Sequence, residues 1–291
     1  MQYDPSQLAA LDAVLRLGSF DAAARALSVT PSAISQRIKA LEDRAGAALV
    51  IRAAPCTATP AGARLARHAS EVALLEAALA RDLGQPAPQA RLRLAVNADS
   101  LGTWFLPALA GLDLLYEIVL DDQAFSADWL RRGEVSAAIT DHARPVQGCD
   151  AVPLGRMRYV ATCAPEFHAR HFAGGVTPEA LATAPLVQFD GKDVLQHHWL
   201  RRVTGKALHP TSHRLPSTQG FLDAARLGLG WCLNPESLAA PLLASGALVA
   251  MLPEEPEDLA LTWQVNRLVS GALAPLTRAV RAAARQALLP G

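Results

Sequence analysis

The sequence predicts an α/β protein in three parts: a small helical head with a helix-turn-helix and a wing, a long linker helix, and a body of two α/β lobes. Three observations carry this. Between Ser19 and Gly46 two helical patterns meet at a tight polar turn. From Pro60 to about Leu83 apolar residues alternate four and three apart, and from Arg91 onward short β-rich runs alternate with helix starts. The 291 residues leave room for two or three domains.

In the head, Ser19 caps a helix whose Phe20, Ala23, Ala24 and Leu27 share one face. Thr30 then caps a second helix with Pro31 at its first position, where the missing amide hydrogen costs nothing. Ala33, Ile34, Ile38, Leu41 and Ala45 point inward, and Gly46 ends the helix. Ser32, Ser35, Gln36 and Lys39 fall on the opposite side, small, polar or cationic, as a helix entering a major groove requires. On periodicity alone a plain structural hairpin is the more common reading of such a pair. The next stretch, AALVIRAAPCTATPAG from Ala47 to Gly62, argues for DNA: a short apolar run and loop read as a wing, with Arg52 placed to reach a minor groove or phosphate.

The long helix, with Thr59 as cap, carries Leu65, Ala69, Val72, Glu76, Leu79 and Leu83 at coiled-coil spacing. Such a stripe is expected to be a dimer seam, with Leu65, Val72, Leu79 and Leu83 as its contacts; the alternative is packing on the head of the same chain. GQPAPQA, Gly84 to Ala90, ends the helix as a hinge-like linker. The expected domains are therefore 1–60, 61–90 and 91–291.

Within the body, RLRLAV, YEIVL and VSAAIT alternate with helices near Thr103 to Ala110 and Ser126 to Arg132, which argues for a parallel sheet with covering helices. A second set follows from YVATC near Tyr159, through PLVQF and WCL, before LTWQV leads to a final helix near Leu273 to Leu288. Lobe I is expected at about 91–160 and 264–291, lobe II at about 161–263.

Composition narrows the function. Half the residues are hydrophobic, yet no apolar run approaches the roughly 20 residues of a membrane span. MQYDPSQL lacks the pattern of a secretory leader, and Cys56, Cys149, Cys163 and Cys232 form no paired motif, so reduced, buried thiols in the cytoplasm are expected. The formal net charge is zero, but residues 1–67 hold eight Lys and Arg against five acids. That modest excess leaves groove contacts and DNA shape to carry much of any specificity.

The segments AAARAL (Ala22 to Leu27), TPSAISQRIKALE (Thr30 to Glu42) and TPAG (Thr59 to Gly62) resemble the amino-terminal domain of the LysR-type transcriptional regulators. The likeness continues into NADSLGTWFLPAL (Asn97 to Leu109), which is similar to the ArgP subgroup, regulators of basic amino acid export that respond to lysine or arginine. The wing departs from the pattern, since AAPC (Ala53 to Cys56) is poorer in cations than many relatives. The resemblance implies a periplasmic-binding-protein-like effector domain, promoter DNA and L-lysine or L-arginine as partners, a homodimer or dimer of dimers, and contact with RNA polymerase. The residues themselves offer no acid-base constellation and no membrane-length apolar run, so no cofactor, no membrane and no enzymatic activity are expected.

Ligands in open α/β sheets collect beyond the carboxyl ends of strands. Asn97, Asp99 and Ser100 follow the first strand of the body, Asp121 and Asp122 follow YEIVL, Asp190 follows PLVQF, and Ser217 and Thr218 precede a helix. Asp99, Asp122 and Asp190 suit a cationic side chain or α-ammonium; Ser100, Ser217 and Thr218 suit a carboxylate. Taken singly, each is as readily a helix or turn cap. His197 and His198 lack the spacing of a metal site, and there is no Gly-rich phosphate loop or nucleophile elbow. The expected function is effector-controlled DNA binding; the alternatives are a DNA-architectural protein on curved or origin-like DNA and a small-molecule-binding α/β protein.

Overall fold

A computed structural model describes residues 3–86, 89–123, 125–141 and 144–291. The chain forms two compact units, Met1–Leu92 with Asp113–Glu117, and Arg93–Leu112 with Ile118–Gly291. Within the expected hinge, Ala87 and Pro88 lie outside the described residues.

The first unit is built on helices α1 (Pro5–Leu17), α2 (Phe20–Ala26) and α3 (Pro31–Ala45). Side-chain oxygens cap all three: Asp4 accepts from Ser6 and Gln7 N–H, Ser19 from Ala22, and Thr30 from Ala33 at 3.2 Å. Leu11, Val14, Ala23, Ile34, Ile38 and Leu41 close the core. The wing is a two-stranded antiparallel ribbon, β1 (Val50–Ile51) and β2 (Thr57–Ala58). Glu42, on the last turns of α3, accepts from the N–H groups of Leu49 (2.8 Å) and Val50 (3.4 Å) and so ties that helix to the wing.

Helix α4 (Pro60–Asp82) starts against the same strand: Thr59 donates its hydroxyl to the Ala48 carbonyl and accepts from Gly62 N–H. A side chain at position 62 would collide with the Leu49 carbonyl, which is why glycine stands there. The expected dimer stripe divides along this helix. Leu65 and Ala69 are buried in the head's own core, so the seam assignment is corrected at Leu65, whose apolar surface closes the three-helix core. Val72 is half-buried, while Leu79 and Leu83 are 59 % and 62 % exposed.

The body continues through β3 (Ala90–Val96), α5 (Ala98–Ser100), a π turn at Leu101–Phe105, α6 (Leu106–Leu109), β4 (Leu114–Leu120), α7 (Ser126–Arg132) and β5 (Ala137–Thr140). The π turn breaks the single helix expected here just before Pro107, whose ring would meet the carbonyl four residues back in a regular α turn. Next come β6 (Cys149–Cys163), α8 (Pro165–His171), α9 (Pro178–Thr183), β7 (Leu186–Gln188), α10 (Leu195–Thr204), β8 (Ser212–Arg214) and α11 (Thr218–Arg226). The chain ends with β9 (Cys232–Pro235), α12 (Glu236–Ala244), β10 (Val249–Ala250), β11 (Glu257–Asn266) and α13 (Ala274–Ala287).

One seven-stranded sheet has the order β10-β6-β11-β5-β3-β4, with β9 also on β6. It is mixed rather than parallel. β3 and β5 run parallel, but the long strands β6 and β11 pair antiparallel along their length, from Cys149 with Asn266 to Tyr159 with Glu257. One end of this ribbon meets β5 and the other meets β9 and β10, so two antiparallel strands are the crossings between lobes. The register shifts between Leu261 and Thr262, opposite Gly155. There the φ of +129° and the approach of the Leu289 carbonyl admit only glycine. Trp199, Trp231 and Trp263 are fully buried, and all four cysteines are buried and free.

Candidate functional site

Two surfaces can act on other molecules, one in each unit. In the first, Ile34, Ile38 and Leu41 turn one side of α3 into the core. That leaves Ser32, Gln36 and Lys39 exposed and Ser35 half-buried on the other side, with Thr30 and Pro31 exposed at its start. Side chains at the N-terminal end of a helix held this way reach base edges, with a lysine for phosphate. Arg52, exposed beside the wing, lies 5.0 Å over the ring of Phe20 at the start of α2, a cation–π contact.

In the second unit a cleft opens where β3, β4, β6, β7 and the start of α11 converge. Lobe I supplies Asn97, Asp99, Asp121 and Asp122; lobe II supplies Asp190, Asp193, Gln196 and Thr218; the crossing strand β6 supplies Tyr159. Phe189, Phe221 and Leu233 add apolar wall.

The carboxylates are held by neutral donors. Asp99 accepts from the Thr218 hydroxyl at 2.6 Å and from the Tyr159 hydroxyl at 2.9 Å, which pins the two lobes together across 119 residues of chain. Burial pushes the Asp99 carboxyl above the usual aspartate range against the pull of those hydroxyls, and Asp193 adds to the rise. Burial, followed by the charge of Asp99, holds the Tyr159 phenol well above its usual value. Asp121 accepts from Trp129 Nε1 (2.7 Å) and from the N–H of Asp122 (2.9 Å). Asp190 accepts from the backbone of Lys192 and Asp193 in an Asx turn. Asp193 accepts from Phe189 and Leu195 N–H, and the Gln196 amide nitrogen, turned to face it, lies 3.0 and 3.1 Å from its two oxygens.

Of the residues expected from the sequence, the structure brings Asp99, Asp122, Asp190 and Thr218 into the lining of one cleft. Ser100 and Ser217 are not part of it. Ser100 is fully buried, its hydroxyl without a hydrogen-bond partner among the described residues, and Ser217 caps α11 by accepting from Gly220 N–H at 3.0 Å. Tyr159, Asp193 and Gln196 went unnoticed in the sequence. A second acid three residues after Asp190, just ahead of a helix, was the one available signal for Asp193.

His197 is engaged elsewhere, 3.3 Å from Gln188 Nε2 and with its ring 5.5 Å from that of His209. Burial, then the neighbouring His209, lowers its pKa. Among the described residues no group of three or more metal-ligating side chains occurs.

An exposed polar face on α3 in one unit and an acid-lined cleft in the other fit a ligand-responsive DNA-binding protein. Comparisons with known proteins specify it further. Residues 5–63 match the bacterial regulatory helix-turn-helix proteins of the lysR family, and residues 85–289 match the LysR substrate binding domain. The chain belongs to the LysR family of transcriptional regulators. It is 46 % identical to the HTH-type transcriptional regulator LysG of Mycobacterium tuberculosis over 286 residues, covering 97 % of this chain and 94 % of that one. The crystal structure of ArgP from Mycobacterium tuberculosis is similar over all of both chains, at 44 % identity and a TM-score of 0.83. Full-length LysG from Corynebacterium glutamicum with bound effector Arg is similar over 99 % of this chain and 100 % of that one, at 40 % identity and a TM-score of 0.70.

Proposed function

We propose that this regulator senses L-arginine or L-lysine in the cleft and controls an amino acid exporter gene through the α3 face. The observation that carries the reading is the charge of the wall: Asp99, Asp121, Asp122, Asp190 and Asp193 line the cleft, with no lysine, arginine or histidine among the described lining residues. Such a wall selects a cation. The arginine bound to the relative from Corynebacterium glutamicum supports the same ligand class. Thr30, Pro31, Ser32, Ser35, Gln36, Lys39 and Arg52 are the DNA contacts in this reading. The exposed end of α4 serves a homodimer or dimer of dimers in the cytoplasm, and the role is regulatory rather than catalytic. An effector changes transcription only by preferring one arrangement of the oligomer, with its DNA and RNA polymerase contacts, over another. Calorimetric titration with a panel of amino acids tests the effector: arginine and lysine give saturable heat and neutral amino acids give none. Equal binding of leucine or glutamine overturns the assignment, while an operator gel shift tests the DNA face separately.

A further inference from the structure

The two loops that bring most of the cleft's acids also carry a contact between the lobes. On lobe I, Asp121 and Asp122 lead into Phe125, whose N–H donates to the Asp122 carbonyl at 2.9 Å. On lobe II, Asp190 and Asp193 flank Lys192, whose N–H donates to Asp190 Oδ1 at 2.7 Å. The Lys192 ammonium lies 5.3 Å over the Phe125 ring. Each partner is tied by its backbone to an acidic residue of its own loop, and the two side chains join one loop to the other.

Lys192 stands one residue from Asp193 and two from Asp190, yet none of the described acids lies within ion-pair distance of its ammonium. The ring of the opposite lobe takes it instead. Lys192 is exposed, Phe125 is half-buried, and neither is among the residues that line the cleft, so the chain's own cation is held outside and the carboxylates stay open to a ligand. The lobes are thereby joined at two levels: Asp99 with Thr218 in the lining, and Phe125 with Lys192 outside it.

Resting on the assignment of the cleft to basic amino acids, we propose that Lys192 and Phe125 form a clasp that holds the two acid-bearing loops together around the bound cation. Both are positioning residues, acting through Asp122, Asp190 and Asp193. A clasp and a plain surface charge differ in sign. A positive charge beside an acid-lined cleft repels a cationic ligand, so its removal tightens binding, whereas removal of a clasp loosens it.

Calorimetric titration of the full-length protein with L-arginine reads that sign. Lys192→Met and Phe125→Leu are each expected to weaken arginine by about two- to fivefold, the worth of one exposed cation–π contact. The double variant should lose no more than either single change, because both remove the same contact. Lys192→Arg, which keeps a cation for the ring, should bind as the parent does. Lys192 is exposed, so Lys192→Met should melt as the parent does and its affinity stands apart from any fault in folding. Parental or tighter binding by Lys192→Met overturns the clasp while the cleft assignment stands. A loss in Lys192→Met that Phe125→Leu does not share overturns it as well, since the ring is then not the partner. If the parent itself gives no heat with arginine or lysine, the cleft assignment and the clasp both fall.

Discussion

The α3 face and the cleft hold their polar groups in opposite ways. On α3, Ser32, Gln36 and Lys39 stand on an exposed stripe, each backed by the apolar side of the same helix. In the cleft the groups hold one another: Asp99 takes Thr218 and Tyr159, Asp121 takes Trp129, and Asp193 takes Gln196. Contributions on the helix should therefore add, whereas cleft residues should couple. A surface of independent contacts can be altered base by base; a bonded network changes as a whole.

The strongest way to break this contrast is Asp99→Ala, which leaves the Thr218 and Tyr159 hydroxyls without their acceptor. Arginine affinity measured by calorimetry should drop by about 2–5 kcal/mol, beyond detection for a weak site. In combination with Thr218→Val the loss should fall short of the sum of the single changes by about 0.5–3 kcal/mol. Simple additivity would mean that the network is not a unit.

Helix α4 sharpens the comparison inside one element. Leu79→Ser removes roughly 1.5–3 kcal/mol of apolar contact if a second copy covers it, and light scattering should show dissociation at low concentration. An unchanged mass removes Leu79 from the seam. Leu65→Ser should instead lower the melting temperature, because that side chain lies in the head's core.

On the DNA face, Gln36→Ala should cost about 1–3 kcal/mol and relax base preference at a few operator positions, while Lys39→Ala weakens all sequences alike and flattens the salt slope. Footprints of the double variant should equal the sum of the two.

The smallest effect is on pH dependence. The Asp99 carboxyl is raised, so as pH climbs from the usual value of 3.8 toward that raised pKa, the unfolded chain loses its proton first and stability falls. The Asp258 carboxyl is lowered, chiefly by its hydrogen bonds with Arg158, so its contribution is present above 3.8 and is lost as pH falls through the lowered value. Thermal melts across the acid range should show Asp99→Asn gaining relative stability toward neutral pH and Asp258→Asn losing it. Identical profiles would contradict both.

The head was legible because its signals are local. Ser19, Thr30 and Thr59 cap helices that begin at the next residue, and Ile34, Ile38 and Leu41 repeat at the period of the helix they bury. The division of the α4 stripe was not legible, since heptad spacing states that Leu65 is covered and not by what. In the body the strand-end rule reached Asp99, Asp122, Asp190 and Thr218, because strand direction alone brings those positions to one rim. At Ser217 it left two readings open, since a hydroxyl at a helix start serves a cap and a ligand equally well, and the cap is the one with a bond in the structure. It passed over Tyr159, whose partner lies 60 residues away and whose position depends on the antiparallel crossing of β6 and β11. Alternating strands and helices suggest a parallel sheet, and nothing local announces that two strands return through both lobes.

The junction at Thr59 and Gly62 gives α4 a mechanical character. Its first turn is seated on Leu49 by a hydroxyl bond to Ala48 and by contact too close for any side chain, and Leu49 is itself bonded to Glu42 of α3. Helix α4, the wing and α3 thus meet at one junction. A helix of 23 residues is roughly 35 Å long, so a tilt of about 5° sweeps its far end through roughly 3 Å while the wing turns by the same angle. Where head and arm turn as one piece, a small rotation at the wing and a longer displacement at the distal leucines are the same movement, seen at two radii.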